Sequence, residues 1–279
     1  MKRSVCQNES LTLPTASSLS SPIVSTPLSS TPSATDLPPQ STPFPYRDYV
    51  AARGTLLAAI DGKPFYATIT GISGTGKTSL QRELSNSFDR QEVQFTYVSS
   101  PSASVLGISR FCVQMIHLAP KRFPLETSRV LANALKSQQT HQVLWIDEAD
   151  RLPKETITDI RTLAECDPEV PQLFSVVFSG LPEFDSLMNS PPLFPMKRRI
   201  SVRLSLSGLC RDELDAFIIH RFGSHDEKRV PGALRDEIFE RTLATPALVD
   251  RVVRHALCLA GSSAVREEHL RESFNVAGI

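Results

Sequence analysis

Apolar residues fall into two regimes along this 279-residue chain. Up to residue 45 they stand singly among Ser, Thr and Pro, with few charges and no aromatic before Phe44. Such a stretch cannot bury enough apolar surface to offset the entropy of ordering it, so residues 1–45 are expected to be a disordered tail, either passive or a tether for a partner protein. From Tyr46 onward the apolar positions cluster. Tyr46, Val50, Leu56, Leu57 and Ile60 have helical spacing, and Asp61-Gly62-Lys63-Pro64 stops that helix. Short β-branched or continuous apolar runs over 65–70, 91–100, 143–146 and 173–178 read as buried strands. Helical patterns separate them, over 80–88, 105–116, 125–136 and 152–164. A short helix is expected from Phe184, a loop over 190–195, and an alternating strand through Ile200, Val202, Leu204 and Leu206. Four helices then follow without further strands, over 211–222, 233–243, 246–260 and 265–274. Strands alternating with helices predict an α/β fold with a parallel sheet flanked by helices. The predicted organisation is a tail (1–45), an α/β domain (46–204) and a small C-terminal α-helical lid (205–279).

Two strand ends carry chemistry. The strand over 65–70 runs into Gly71-Ile72-Ser73-Gly74-Thr75-Gly76-Lys77-Thr78-Ser79, and a helix begins at once. This fits G-x-x-x-x-G-K-[ST] in its required strand–loop–helix setting. The glycines let backbone N–H groups turn inward around phosphates, and the helix N-terminus adds the positive end of its dipole. Lys77 supplies a point charge for the β- and γ-phosphates, and Thr78 a hydroxyl for Mg²⁺. The strand over 143–146 ends in Asp147-Glu148-Ala149-Asp150. Asp147 is assigned to Mg²⁺, with Glu148 orienting and deprotonating the attacking water. The same four letters spell a helicase box. That reading needs a second RecA-like domain and further motifs, for which the chain lacks length. Ser179, at the tip of the strand over 173–178, is a candidate for touching the γ-phosphate or the water, although a serine at a strand end also serves ordinary turns.

Composition narrows the partners. Hydrophobic residues make up 41% of the chain and the formal net charge is zero, so no global basic field argues for nucleic acid. Five cysteines, odd in number and widely spaced, suggest reduced thiols with neither a disulfide frame nor a zinc site. The histidines show no ligand spacing. No apolar stretch approaches the ~18 residues of a membrane span. Met1-Lys2-Arg3 leads into polar sequence, not a signal peptide. A cytoplasmic location without membrane contact is the expectation.

The phosphate loop, the Asp-Glu strand, the polar-tipped strand and the helical lid together resemble the AAA+ ATPases, a branch of the P-loop NTPases. Leu144-Trp-Ile-Asp-Glu-Ala-Asp-Arg-Leu152, Glu155-Thr156, Asp159-Ile-Arg161, Leu163-Ala-Glu165 and Val176-Val-Phe-Ser-Gly180 resemble the TniB/TnsC-type transposition ATPases and the ATPase domain of ExeA-like proteins. Arg198-Arg199-Ile200 and residues 206–221 resemble the same families' passage into the lid, so the likeness covers roughly 46–265. It implies ATP and Mg²⁺ as ligands and a homo-oligomer, ring or filament, with ATP at subunit interfaces. For the transposition branch it further implies assembly on double-stranded DNA and communication with a transposase or target-selector protein. ExeA-like proteins add a membrane span and a cell-wall-binding domain. This sequence carries neither, which favours the transposition branch. A protein-remodelling adaptor without a DNA role and a non-hydrolysing, nucleotide-gated interaction module stand as alternatives.

Arg198 and Arg199 match the position of an arginine finger offered to a neighbouring subunit, a role suited to an always-charged, forked guanidinium. Lys121, Arg122 and Lys154 are the candidate DNA-backbone contacts. Two departures from the family pattern stand out. Pro246 is followed by Ala247 where relatives carry a γ-phosphate-sensing Arg, with Arg251 or Arg254 as distant substitutes. Leu181 replaces a residue that is often polar. Slow hydrolysis fits both.

Overall fold

Five parallel strands form one sheet in the order β2-β3-β4-β1-β5: β1 (Tyr66–Thr70), β2 (Val93–Val98), β3 (His141–Ile146), β4 (Ser175–Gly180) and β5 (Ile200–Ser205). The computed structural model describes residues 42–62, 64–99, 124–137 and 140–279. All of these fall within one compact unit, 39–279. The three central strands are buried at almost every position, which accounts for the continuous apolar runs in β3 and β4 and the β-branched run in β1. β5 is one of the two edge strands, and its exposed positions alternate with one buried and two half-buried ones.

Successive side chains of a strand point to opposite faces, so the sheet has two cores. On one face Ala67, Ile69, Val143, Trp145 and Val177 pack against α1 (Arg47–Ile60), α2 (Lys77–Ser87) and the C-terminal helices. On the other, Tyr66, Leu144, Ile146, Val176 and Phe178 meet α3 (Pro124–Ser137), α4 (Lys154–Ala164), α5 (Glu183–Met188) and α6 (Phe194–Arg199). At the N-terminal end of the sheet the His141 ring bridges the Ile60 carbonyl (2.9 Å) and the Ser175 hydroxyl (2.8 Å). Burial pushes its pKa down, so it sits there as a neutral imidazole.

The lid is built from α7 (Leu214–Lys228), α8 (Gly232–Arg241), α9 (Pro246–Ala260) and α10 (Glu267–Ala277). The first half of α7 ends at the predicted 222, where Gly223 at φ 85° breaks the helical geometry, and a second short stretch runs on to Lys228. Asp250 on α9 ties the lid internally by accepting from Arg221 Nε of α7 (2.9 Å) and from Arg254 (2.9 Å). One expectation is corrected. The span expected to be a loop over 190–195 holds a 3₁₀ turn, Pro191–Leu193, and then the start of α6. Pro195 is tolerated because it lies in the first helical turn, where its missing N–H costs nothing.

The expected tail lies outside the described residues except for its last four. Phe44 packs edge-on against Phe217 of α7, with centroids 5.4 Å apart. The helical pattern over 105–116 also lies outside the described residues. No helix among the described residues is long and apolar enough to cross a membrane.

Candidate active site

The site forms at the C-terminal ends of β1, β3 and β4, where the chain turns from strand into helix. β4 separates β1 from β3. That arrangement opens a crevice between the loop after β1 and the acids after β3, as expected where parallel connections diverge. A cavity of about 430 Å³ occupies it, lined by loop residues Ser73, Gly74, Gly76, Lys77, Thr78 and Ser79, and on the other side by Asp147, Glu148, Asp150 and Arg151. Gly71, Ile72 and Thr75 lie behind this surface and shape it.

Backbone conformation explains the loop's glycines. Gly76 stands at φ 101° as the residue preceding α2, and Gly74 at φ 88°. Both angles are in the left-handed region that L side chains avoid. A Cβ on Gly74 would also meet Ala247 Cβ at 2.8 Å and Thr245 Cγ2 at 3.0 Å. The start of α9 is therefore seated on the loop, and the Ala247 N–H donates to the Gly74 carbonyl at 3.3 Å. The turn feeding α9 is itself constrained. Leu243 and Ala244 have φ 50° and 52°, and the Ala244 carbonyl accepts from the Leu209 N–H at 2.9 Å.

Lys77 Nζ donates to the carbonyls of Gly71 (2.5 Å) and Ile72 (3.0 Å). Burial lowers its pKa, and the charges of Asp147 and Asp150 oppose that shift. The ammonium therefore faces the space inside the loop.

Asp147 is the most heavily hydrogen-bonded carboxylate of the site. Oδ2 accepts from Thr78 Oγ1 (3.0 Å) and Tyr97 OH (2.7 Å). Oδ1 accepts from Ser179 Oγ (2.7 Å) and the Glu148 N–H (3.0 Å). Burial pushes its pKa up. The donations from Ser179, Tyr97, Thr78 and Glu148 outweigh that and hold it below the ordinary carboxylate value. The Tyr97 phenol is pushed up to about 12, by burial first and then by the carboxylate it serves. Asp147 therefore stays ionised, with the Thr78 hydroxyl beside it. A hydroxyl and a carboxylate converging on one point are the hard oxygen donors that suit Mg²⁺.

Glu148 lies at the cavity edge with φ 54°, immediately before a 3₁₀ turn, Ala149–Arg151. Its Oε2 pairs with Arg151 at 2.9 Å. Asp150 holds the backbone in place. Its Oδ1 accepts from the Leu181 N–H at 2.8 Å, which fixes the turn after β4. Ser179 is fully buried, and its hydroxyl faces Asp147 while accepting from Trp145 Nε1 at 3.1 Å. It therefore supports the acid and is not among the residues lining the cavity.

Tyr97 and Trp145 are legible in the sequence only as strand residues. The pairing of β2 with β3 brings the Tyr97 hydroxyl to Asp147, while Trp145 reaches across to β4 and holds Ser179, which in turn serves the acid. A second cavity, about 260 Å³, adjoins the loop between Phe44, Tyr46 and Tyr49 on one side and Phe217, Arg221 and Pro246 on the other. The Tyr46 hydroxyl donates to the Thr75 carbonyl at 2.7 Å, linking this aromatic wall to the phosphate loop.

The remaining predicted residues lie elsewhere. Arg198 and Arg199 are exposed at the end of α6, and Arg199 pairs with Glu165 at 3.4 Å. Lys154 begins α4, half-buried. Lys121 and Arg122 lie outside the described residues. Arg254, a distant substitute for the lid cation, pairs with Asp250 and lies 5.3 Å from the Phe222 ring centroid. No group of His, Cys, Asp and Glu among the described residues has the arrangement of a protein-only metal site.

The parallel sheet with its glycine loop, the Asp-Glu strand end and the helical lid define the class: this is the AAA+ fold of the P-loop NTPases. In keeping with that, the AAA domain family matches residues 64–188. General secretion pathway protein A of Aeromonas hydrophila is 26% identical over 245 residues, covering 80% of this chain and 43% of that protein. The chain thus spans less than half the length of this relative. Among solved structures, the Aeropyrum pernix ORC2 protein in ADPNP–ADP complexes superposes with a TM-score of 0.58 at 16% identity, over 82% of this chain and 66% of that one. The Aeropyrum pernix ORC1 protein in complex with DNA gives 0.55 at 18% identity, over 87% and 68%. At such identities the likeness is one of fold.

Proposed function

We propose that this chain is a Mg²⁺-dependent ATPase that assembles with copies of itself on double-stranded DNA and links a target site to a transposase or target-selector protein. The observation carrying the ATPase part is the convergence of Lys77, Thr78, Asp147 and Glu148 on one cavity at the strand ends. The loop N–H groups and Lys77 hold the β- and γ-phosphates. Thr78 and Asp147 would hold Mg²⁺, which neutralises phosphate charge when bound. Glu148 takes the proton of a water as the water oxygen bonds to the γ-phosphorus and the bond to the β–γ bridging oxygen breaks. The nucleotide base is placed in the adjoining cavity bounded by Tyr46 and Phe217. Arg198 and Arg199, exposed at the end of α6, are the arginines that a neighbouring copy's γ-phosphate would meet in this reading. Ala247 and Leu181 add no charge to the pocket, in line with slow turnover.

The DNA part is supported by the motif likeness to TniB/TnsC-type ATPases and by a fold shared with a protein solved on DNA. Zero net charge places the binding energy in local patches of the assembled oligomer. The test is fluorescence anisotropy of a labelled duplex titrated with protein, with and without ATP·Mg²⁺, at two salt concentrations. The reading predicts cooperative binding only with nucleotide, and weaker binding at higher salt as phosphate contacts displace counterions. Equal, negligible binding with and without nucleotide would remove the DNA role and leave a protein-directed ATPase.

A further inference from the structure

We propose that Arg151 is the γ-phosphate-sensing cation of this site, held by Glu148 itself until ATP arrives. The inference rests on the ATPase reading above and assigns a role that the lid leaves vacant. Among the described residues, two cationic side chains line the cavity, Lys77 and Arg151. Lys77 rises from within the phosphate loop and is bonded to that loop's own carbonyls. The lid meets the loop through Ala247, which brings no charge. The lid's Arg221 and Arg254 both converge on Asp250, within the lid, and Arg251 is exposed on α9 and is not among the residues lining the cavity. A second cation for the terminal phosphate is therefore available from the opposite wall, at Arg151.

The local geometry gives this cation two positions. Glu148 is held at φ 54° by the turn that begins there, and the Arg151 N–H donates to the Glu148 carbonyl at 3.0 Å. The turn brings the two side chains together, Arg151 Nη1 to Glu148 Oε2 at 2.9 Å. The pair is exposed, at 68% and 45% of the side-chain surfaces. Exposed ion pairs of this kind are weak because water screens them and both side chains lose rotamer freedom. A terminal phosphate offers more negative charge and two oxygens that match the guanidinium fork. Arg151 is thus expected to exchange the carboxylate for the phosphate. The same movement releases Glu148 to take a proton from water. ADP lacks the γ-phosphate and leaves the latch closed. Sensing and activation of the base would then be a single event within one subunit.

The test is calorimetric titration of ATPγS and of ADP, both with Mg²⁺, into wild type, Arg151→Gln, Glu148→Gln and the double variant. Arg151→Gln is expected to weaken ATPγS by about tenfold or more, the scale of a hydrogen bond to a charged group, and to leave ADP unchanged. Glu148→Gln opens the latch and is expected to tighten ATPγS. That gain should vanish in the double variant, because the two residues act as one unit. Arg151→Lys keeps the charge, loses the fork and should fall between. Equal losses for ATPγS and ADP, no loss at all, or a Glu148→Gln gain that survives without Arg151 would overturn the proposal. Failure of wild type to bind either nucleotide would instead overturn the ATPase reading, and this proposal with it.

Discussion

Glu148→Gln is expected to lower ATP turnover by about 10²–10³-fold, within the range ascribed to a positioned general base, while ATP stays bound. The carboxylate lies at the edge of the phosphate cavity, one residue beyond Asp147, and its conformation is set by the 3₁₀ turn rather than by burial. Gln keeps the size and the hydrogen-bonding reach of Glu but cannot accept a proton. Lys77, Thr78 and Asp147 are untouched, so the nucleotide keeps its contacts. Phosphate release and ATPγS titration on the same preparation separate the two effects. Unchanged turnover would show that another group activates the water, and Asp150 would not be the first candidate, since its Oδ1 is engaged by the Leu181 N–H.

Gly74→Val is expected to cost nucleotide affinity at least about 30-fold, equivalent to about 2 kcal/mol. Two penalties combine. A β-branched residue at φ 88° sits in a region that costs ordinary L residues about 1–2 kcal/mol. Its side chain would also occupy the space now filled by Ala247 and Thr245, 2.8 and 3.0 Å from the Cβ position. Overpacking of that kind costs about 1–3 kcal/mol. Relief requires either the loop to open, turning its N–H groups away from phosphate, or the lid to lift, breaking the Ala247–Gly74 bond. Circular dichroism should still report a folded chain, because the atoms nearest the new side chain belong to Thr245 and Ala247 at the start of α9 and not to the sheet. Gly74→Ala carries the first penalty and a smaller part of the second, so it should be milder. Wild-type affinity in Gly74→Val would mean that the lid is not seated on the loop in the nucleotide-bound state.

Much of this site is legible in the sequence because its chemistry is local. The phosphate-loop motif is eight consecutive residues, 71–78, running from the end of a strand into the start of a helix, and an Asp-Glu pair at the end of an apolar run marks its own strand tip. The sheet's buried strands are equally legible, because two-sided burial leaves a continuous apolar run in β3 and β4 and a β-branched one in β1. What escapes depends on register. Tyr97 and Trp145 look like two aromatic strand residues until strand pairing sets Tyr97 beside Asp147 and Trp145 against the Ser179 hydroxyl that serves it. Ser179 reads as a polar strand tip, but only the lateral order of β3 and β4 decides that it faces the acid. The Arg151–Glu148 pair is hidden differently. The two residues are close in sequence, yet a left-handed Glu148 and a 3₁₀ turn are not written in residue type. Helix α6 is masked by two prolines at 191 and 192 and a third at 195, a composition that reads as a loop.

Calorimetric titration of ATPγS into the purified chain, with Mg²⁺ and with excess EDTA, for wild type and Lys77→Ala, decides whether the cavity is a nucleotide site. Saturable binding at one nucleotide per chain is expected, weakened when EDTA removes the Mg²⁺ that Thr78 and Asp147 would hold, and lost in Lys77→Ala. Equal heats for wild type and Lys77→Ala, or no saturable binding by wild type, would contradict it, because the cavity at the ends of β1, β3 and β4 would then not be a nucleotide site.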